Sequence, residues 1–510
     1  MNLLTEPTID VYAPGGDSRD LTLPGLLAGL SCGQVDGFPS LQPHQRHAWH
    51  AFLVQLAAIA LHAAGRCDPP AEEDAWRTHL RAIASGPEDE PWRLVVDDLA
   101  RPAFMQPPVP EGTLEGFGDP LSSPSDLDVL VTSMNHDVKP RRIVNARPAH
   151  WVYALITLQT MQGYSGAGKH GISRMNGVFA SRPCVGLAPQ DRCAERFCRD
   201  VAVLLRARSE LLRAYAPAFR ESGGVSLLWL EAWNGIEALT METLDPYYIE
   251  VCRRVRLNRF GNRIWARTRG TKSTRIAAKE LNGKTGDPWT PIDRQKEEAL
   301  TVRKRGFDYR LLHRLLFSPD YQPGVCQEIH PGGPKEDILV LTHALARGKG
   351  KTYGLHERRL PVPARACRLL AVPEDRERLG RLARSRVEDV EALAGKVLRP
   401  ALLCLVQGGA ESLNSKDRRP RDCMERLDRE VDERFFPHLW RTLDLPEEEG
   451  QAGWQRTIVD LGWNILIDAQ AALPVPGPRR YRAIAAAERV YRKAGWKQFP
   501  LLRRREEGTA

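Results

Sequence analysis

Several absences limit what this protein can be. The longest apolar run, 51–64, is interrupted by Gln55 and His62, and a membrane span needs roughly 18 uninterrupted apolar residues. No basic segment followed by an apolar block opens the chain, so no signal peptide and no membrane partner are predicted. The ten cysteines include no C-x-x-C pair. This argues against a zinc ribbon or a disulfide framework and predicts a reducing, cytoplasmic location.

Recognisable catalytic patterns are absent as well. No Ser-His-Asp, Cys-His or paired-carboxylate arrangement can be singled out, so the sequence predicts no enzyme and no cofactor. His44, His47 and His50 recur every third residue along a predicted helix. No nearby carboxylate or cysteine completes a tetrahedral set, so surface or helix-capping histidines are favoured over metal ligands.

What the sequence does have is an uneven distribution of charge. Its 510 residues carry a formal net charge of +9, but residues 1–130 hold 7 basic and 19 acidic groups. The densest basic segment, 251–310, holds 17 basic residues against 6 acidic ones. A field of one sign concentrated in one region favours a polyanionic partner such as nucleic acid, and a basic interface to an acidic protein is the alternative.

The hydrophobic pattern changes along the chain and indicates two domains, as the length also does. From 374 onward the apolar residues repeat every 3.6 positions, and four helices with short connections predict a four-helix bundle. The expected fold is α+β, with a large mixed N-terminal domain of strands, helices and irregular loops over 1–365 and the bundle over 366–510. The predicted elements are a hairpin over 9–23, helices near 25–30, 43–64, 149–161 and 198–217, strands at 227–230, 247–251 and 338–341, and bundle helices near 374–397, 420–442, 447–472 and 479–497.

A glycine-rich segment after the predicted helix 149–161 carries the sharpest local motif. Gly163 to His170 has the G-x4-G-K spacing of a P-loop, but His170 replaces the Ser or Thr that binds Mg²⁺, and a helix precedes the motif where a P-loop follows a strand. A P-loop-like, nucleotide-dependent enzyme is therefore an alternative, and a tight turn between packed helices is another. The glycines let backbone approach a phosphate or a groove closely, and Lys169 and Arg174 add positive charge.

A second basic turn follows the predicted strand 338–341. The run Gly348-Lys349-Gly350-Lys351-Thr352 lacks the first glycine of a P-loop, because Leu345 stands in its place. The spacing therefore favours an exposed basic hairpin tip over a nucleotide site.

Short segments in a fixed order along the whole chain suggest a family. They are Met1-Asn2-Leu3-Leu4, Pro102-Ala103-Phe104-Met105-Gln106, the glycine loop 163–177, Leu227–Trp229 running on to Ile249–Cys252, Leu281-Asn282-Gly283 followed by Pro288-Trp289-Thr290-Pro291, Glu357-Arg358-Arg359 and the terminal bundle. Together they resemble CasA, the large subunit of the type I-E CRISPR surveillance complex Cascade.

The resemblance implies a role without a reaction. Such a subunit reads a short motif beside the target in duplex DNA, the PAM, helps open the duplex for R-loop formation, and supports recruitment of a helicase-nuclease. The implied partners are CRISPR RNA, double-stranded target DNA and the backbone, small and handle-binding subunits of Cascade. A scaffold that contacts only protein is a further alternative.

The resemblance also implies roles for particular residues. The glycine loop would face the PAM minor groove and the basic hairpin would be the wedge, although Thr352, with Lys351 beside it, replaces the family's wedge glutamine. Lys272 is the expected PAM-probing lysine, with Arg269 and Lys279 as rivals. Some members bind zinc through a cysteine cluster here, and this chain keeps only Cys252, so no zinc is predicted. The expected DNA contacts are Gly166, Ala167, Gly168, Lys169, His170, Arg174, Asn176, Lys272, Lys349, Gly350, Lys351 and Thr352, and the expected contacts to the guide-RNA handle are Asn135, Lys139, Arg141, Arg142 and Arg147.

Overall fold

The chain divides into two compact units. The computed structural model describes residues 1–129, 143, 145–189, 192–215, 218–329, 336–349, 351–409, 412–474 and 477–502. The first unit is built mainly from Met1–Phe307 and Pro334–Val362, and the second mainly from Asp308–Ser318 and Pro363–Ala510. None of the helices in these ranges combines the length and apolarity that a bilayer crossing requires.

The first unit mixes helices with several small sheets, as an α+β fold requires. Its helices include α1 (Leu23–Ser31), α2 (Arg46–Ala63), α3 (Glu73–Ile83), α4 (Pro124–Leu127), α5 (Pro148–Met161) and α6 (Cys193–Ala214). Its strands include β1 (Ile9–Tyr12), β2 (Ser18–Leu21), β3 (Cys184–Ala188), β4 (Val225–Leu227), β5 (Leu244–Ile249), β6 (Arg254–Phe260), β7 (Arg263–Arg269), β8 (Ile292–Asp293), β9 (Glu298–Ala299), β10 (Tyr321–Gln322), β11 (Ile338–Gly348) and β12 (Lys351–Val362).

The predicted opening hairpin is confirmed. Strands β1 and β2 pair antiparallel from Ile9 opposite Leu21 to Tyr12 opposite Ser18. The Thr22 hydroxyl then accepts a hydrogen bond from the Gly25 nitrogen and caps the start of α1, as a threonine at this position commonly does.

Helix α2 lies in the core of the first unit and is buried on almost every side. Its apolar side chains join Trp92, Trp229 and residues of α5 and α6 in one hydrophobic cluster. Gln55 interrupts the apolar run of this helix, and its Nε2 donates to the carbonyls of Tyr247 and Tyr248 at 3.0 and 3.1 Å. The side chain thereby satisfies β5 carbonyls that burial would otherwise leave unpaired.

The predicted strand at 227–230 is only partly right. Strand β4 ends at Leu227, and residues 228–230 form a turn of 3₁₀ helix. The Trp229 indole donates to the Pro91 carbonyl at 3.1 Å, and the buried Arg275 guanidinium donates to the Leu228 and Glu231 carbonyls. The Arg275 side chain therefore satisfies carbonyls of this segment in place of a neighbouring strand.

The predicted strand at 338–341 is the start of a long hairpin. Strand β11 pairs with β12 from Ile338 opposite Val362 to Gly348 opposite Lys351, with an irregularity between Ala346 and Arg347. On its other edge β11 pairs with β3 only over residues 339–343. Beyond that point the two strands continue as a two-stranded ribbon, which carries the basic tip away from the sheet.

The second unit is helical, and the predicted bundle helices are confirmed with small changes in their bounds. A π-helical turn over Leu393–Leu398 joins α9 to α10. Phe435 and Trp454 pack edge to face in the core, with ring centroids 5.6 Å apart. The helices are α7 (Tyr309–Phe317), α8 (Ala364–Leu370), α9 (Pro373–Ala392), α10 (Arg399–Val406), α11 (Arg421–Arg441), α12 (Glu447–Ala472) and α13 (Arg480–Gln498).

Candidate nucleic-acid interface

The glycine-rich segment forms a tight turn at the end of α5. Gly166 and Gly168 have φ angles of 132° and 70°, a region that favours glycine over other residues. The Lys169 nitrogen donates to the Gly166 carbonyl and the Ser165 nitrogen donates to the Lys169 carbonyl, each at 3.0 Å. Ala167 and Lys169 are exposed at the apex. The turn therefore presents one small residue and one cation to the surroundings.

Two distant parts of the chain hold this turn in place. The buried Arg253 guanidinium donates to the His170 carbonyl and, at 3.3 Å, to the Lys169 carbonyl. The Thr271 nitrogen donates to the Gly168 carbonyl at 3.0 Å. Lys272, the expected PAM-probing lysine, directly follows Thr271 in the chain, and its side chain is exposed.

The geometry of the turn differs from that of a P-loop. A P-loop directs successive backbone N–H groups at one phosphate and leads into a helix. Here the nitrogens of Ser165 and Lys169 are already bonded within the turn, and the next helix, α6, begins only at Cys193. The turn is tight, as one interpretation of the sequence held, but it leads from α5 toward strand β3 and does not join two packed helices. The nucleotidase alternative does not fit this geometry.

The glycine turn and the base of the β11–β12 hairpin line the same cavity, which has a volume of about 450 Å³. Lys169 and Arg253 contribute from one side, Arg347 and Gly348 from the hairpin, and Arg269 from the end of β7. Segments far apart in sequence therefore meet here. The acidic lining residues are Asp126 and Asp128, and Asp128 is also held by His44 and Gln45 at 2.8 Å each.

The basic side chains that line this cavity outnumber the acidic ones. Burial, followed by the nearby charge of Arg253, lowers the pKa of Arg347 to about 10. The Arg347 guanidinium makes no hydrogen bond or ion pair with any residue that the structure describes. A crowded, partly desolvated pair of guanidinium groups is a favourable place for a phosphate.

The hairpin tip separates this cavity from a second one of about 530 Å³, which Arg303, Lys304 and Lys349 help to line. Lys349 is exposed at the turn, and the Lys351 ammonium lies 5.2 Å from the centre of the Tyr353 ring. Gly350 lies outside the described residues. The Thr352 hydroxyl is buried, whereas Tyr353 is 43% exposed. Sequence reasoning missed Tyr353, although an aromatic residue next to a basic turn was the available signal.

Two of the expected DNA contacts lie inside the protein. Arg174 is 1% exposed, and its guanidinium sits 4.0 Å from the centre of the Tyr248 ring and donates to the Tyr248 carbonyl at 2.8 Å. Asn176 is 4% exposed and donates to the Thr301 hydroxyl at 2.9 Å. Both side chains are committed to packing beneath the glycine segment, so neither is available to a phosphate in this conformation.

Much of the basic segment 251–310 is also turned inward. The inward arginines are buried and donate to backbone carbonyls, as Arg256 does to the Arg101 and Val96 carbonyls at 2.9 and 3.0 Å. Of the rivals to Lys272, Arg269 pairs with Glu111 at 3.2 Å and Lys279 is exposed. The inward arginines are Arg253, Arg254, Arg256 and Arg275, and the exposed cations include Arg259, Arg263, Lys272, Lys279, Arg303 and Lys304.

Of the expected contacts to the guide-RNA handle, only Arg147 lies within the described residues. Its guanidinium pairs with Asp20 at 2.7 Å and with Asp10 at 3.3 Å, so acidic residues of the opening hairpin already compensate its charge. Asn135, Lys139, Arg141 and Arg142 fall outside the described part of the chain.

His44, in the 3₁₀ turn before α2, and His47 and His50 of α2 are not surface residues, contrary to the interpretation from the sequence. His44 and His47 are buried, and His50 is half-buried and bonds to Asp200 at 2.8 Å through its Nε2. In the described ranges, no group of three His, Cys, Asp or Glu side chains could hold a metal ion. Cys252 is buried, and its thiol donates to the Leu158 carbonyl at 3.3 Å.

A buried carboxyl group supports the glycine segment from below. The Glu250 carboxyl accepts hydrogen bonds from the Ser173 nitrogen at 2.7 Å and from its hydroxyl at 2.9 Å. Burial raises the pKa of Glu250 to about 7, against the effect of these hydrogen bonds and of the Arg174 charge. The folded chain therefore binds this proton more tightly than the unfolded chain does.

The consequence is a pH dependence of stability. As pH rises from about 4.5 to about 7, the free energy of unfolding should fall by roughly 2–3 kcal/mol and then level off, because ionised Glu250 is tolerated better in the unfolded chain. Urea unfolding across this range should show the slope in the wild type and lose most of it in Glu250→Gln. Parallel profiles for the two proteins would contradict the assignment.

Comparison with known proteins shows which fold the chain has. No protein-family model and no curated protein matches the sequence. Solved structures do match: Cse1 from Thermobifida fusca (15% identity, 98% of each chain covered, TM-score 0.66), CasA (Cse1) from Thermus thermophilus (15%, 98% of this chain and 99% of that one, 0.61), and the CRISPR-associated protein Cse1 from Acidimicrobium ferrooxidans (15%, 98% of each, 0.60). Over almost its whole length, the chain has the fold of the Cse1, or CasA, proteins.

Proposed function

We propose that this protein is the non-catalytic large subunit of a type I-E CRISPR Cascade complex, and that it binds duplex DNA at the PAM through its glycine turn and basic hairpin. The observation that carries the proposal is the shared cavity between Lys169 of the turn and Arg347 of the hairpin base. The likeness to the fold of Cse1 and CasA supports it over the full chain. CRISPR RNA, the other Cascade subunits and a transiently recruited helicase-nuclease are the partners that this role requires.

The exposed lysines near the glycine turn and the hairpin tip are available to the phosphates of DNA because they are not paired with acidic residues that the structure describes. Lys169, Lys272 and Lys349 make no ion pair with any residue in the described ranges. Phosphate contacts give affinity without sequence information, and close approach of small residues to a groove adds shape and sequence selectivity. The turn offers Gly166, Ala167 and Gly168 for that approach.

The exposed aromatic ring at the hairpin tip suggests how the duplex is opened. A planar side chain such as Tyr353 stacks on a terminal base pair and is tolerant of its identity. The buried Thr352 hydroxyl leaves no polar group at position 352 for this task. We therefore assign the wedge to Tyr353, supported by Lys349 and Lys351.

The function is tested with the assembled complex and duplexes that differ only in the PAM. If 6–10 phosphates are contacted, affinity should fall by roughly 10³-fold or more between 50 and 200 mM salt. Binding that ignores the PAM would overturn the proposal and favour a scaffold that contacts only protein. ATP hydrolysis lost specifically in Lys169→Ala would instead restore the P-loop alternative.

A single lysine gives a smaller, more specific result. Lys272→Ala should weaken binding severalfold and lower the slope of log affinity against log salt by about one unit, because one phosphate contact is lost. Arg263→Ala is the control, since Arg263 is also an exposed cation but lines neither cavity beside the hairpin tip. Equal slopes for Lys272→Ala and the wild type would show that Lys272 does not contact a phosphate.

A further inference from the structure

A third cavity of the first unit, of about 360 Å³, lies among α2, the start of α6 and the β11–β12 sheet. None of the residues discussed above as DNA contacts lines it. Its walls include the rings of Tyr12, Phe38, Trp49 and Phe197. This volume and this apolar, aromatic lining are typical of a site for a small planar molecule.

The polar side of the cavity is dominated by arginine. Arg46 and Arg192 are exposed at its rim and make only long ion pairs, at 3.8 Å to Glu357 and 3.7 Å to Glu195. The acidic residue in the lining is Asp36, which is exposed. The arginines that line the cavity are Arg46, Arg192, Arg196 and Arg359.

Arg196 is the residue that points most directly to a ligand. It is only 9% exposed, its guanidinium donates no hydrogen bond to any residue that the structure describes, and its Nε is buried without a hydrogen-bond acceptor. Its nearest carboxylate is Asp200, at 4.0 Å from Nε. That carboxylate is already paired with Arg199 at 2.6 Å and bonded to His50 at 2.8 Å. A buried N–H donor without an acceptor is costly, and an oxyanion in the cavity would satisfy it.

The start of α6 adds to this preference. Cys193, the first residue of the helix, lines the cavity, and Arg192 does not cap the helix with its side chain. The positive end of the helix dipole therefore lies next to the uncompensated arginine, and both favour a negatively charged group.

We propose that this cavity binds a nucleotide, with the base against the aromatic walls and the phosphate on Arg196 at the start of α6. Bases stack on aromatic side chains whatever their sequence, and arginine matches the geometry of phosphate oxygens. The nucleotide is either free in solution or part of a single strand, and both sources present the same chemistry to the cavity.

The test uses the isolated full-length chain and four probes: 5′-AMP, adenosine, inorganic phosphate and a pentameric oligoadenylate. AMP should raise the midpoint of thermal unfolding and bind in calorimetry, whereas adenosine and phosphate should each bind at least tenfold more weakly. If the oligonucleotide binds more tightly than AMP, the source is a strand. If only AMP binds, the source is free nucleotide. Equal binding of phosphate and AMP, or no binding of either nucleotide probe, overturns the proposal.

Substitution of Arg196 separates a ligand site from a structural role. Arg196→Met keeps the approximate volume and removes an uncompensated buried charge, so the unfolding midpoint without ligand should stay the same or rise. The affinity for AMP should fall roughly 10- to 100-fold. A lowered midpoint with unchanged affinity would mean that Arg196 is only structural and would overturn the assignment.

The matched control lies on the same helix. Arg208 is 5% exposed, pairs with Asp245 through Nη1 at 3.2 Å and does not line this cavity. Arg208→Met should lower the midpoint and leave AMP affinity unchanged. If Arg196→Met does not fold, the exposed rim pair Arg46→Ala with Arg359→Ala should still weaken AMP binding, and unchanged binding there would overturn the proposal. Lys169→Ala should not affect AMP binding, so this inference and the proposed DNA site fail independently.

Discussion

Replacing Gly171 by alanine should lower the affinity of the assembled complex for a PAM-bearing duplex by about 100-fold. A Cβ at this position would lie 2.5 Å from the Tyr164 nitrogen and 2.6 Å from the Gly163 carbonyl carbon. Both are backbone atoms, so the two sides of the glycine turn must separate. Gly168 then loses its hydrogen bond from Thr271 and Lys169 its hydrogen bond from Arg253. Displacing these two residues from the DNA accounts for a change of about 100-fold.

A second glycine of the same segment provides the control. A Cβ on Gly177 would meet no atom within 4 Å, and its φ angle is not in the left-handed region. Gly177→Ala should therefore bind the duplex within about twofold of the wild type. Gel shifts with and without the PAM, together with unfolding midpoints, check both variants. Equal affinity of Gly171→Ala and Gly177→Ala for the duplex would show that DNA binding does not depend on the shape of the turn.

Local chemistry explains which parts of the fold could be predicted from the sequence. The opening hairpin depends on a turn of proline and glycines between two alternating segments, and the bundle helices depend on a 3.6-residue repeat. Both signals lie within about 20 residues of the structure they specify. The glycine turn belongs to the same class, because Gly166 and Gly168 adopt backbone angles that other residues disfavour.

Long-range pairing explains what could not be predicted. The densest basic segment suggested a charged surface, yet Arg256 is fully buried because carbonyls of Val96 and Arg101, more than 150 positions away, accept its hydrogen bonds. His50 was expected at the surface or at a helix cap because its partner, Asp200, lies on another helix, 150 positions away. Charge density along a chain therefore overestimates charge density on its surface wherever distant backbone can take up the arginines.

The other large effect is expected at Asp287, which lies fully buried between two arginines of the first unit. Its Oδ2 lies 2.6 Å from Arg182 Nε and 3.9 Å from Arg174 Nη1. Its Oδ1 accepts from the Trp289 nitrogen at 2.9 Å. Although burial opposes ionisation, the charges of Arg182 and Arg174 hold the pKa of Asp287 below its usual value. The Asp287 carboxylate therefore links Arg174, which packs beneath the glycine segment, and Arg182 to the backbone of Trp289.

Asp287→Ala should lower the free energy of unfolding at pH 7 by about 3–5 kcal/mol, because it leaves two buried guanidinium groups without their anion. Glu377→Ala is the control: the Glu377–Arg381 pair has a 3.0 Å separation but is exposed on both sides, and its loss should cost less than about 0.5 kcal/mol. The comparison is made by urea unfolding of the full chain.

The pH dependence of the stability lost on substitution of Asp287 shows whether the residue acts through its charge or through its packing. An acid with a lowered native pKa stabilises the fold above its unfolded pKa, near 3.8 for Asp287, and that contribution disappears as pH falls through the native value. The gap between the wild type and Asp287→Asn should therefore narrow on acidification below about pH 4. Adding Arg182→Met to Asp287→Ala should recover part of the stability, since it removes one of the stranded charges. A gap that is constant with pH, together with no recovery in the double variant, would show that Asp287 stabilises the fold through shape alone.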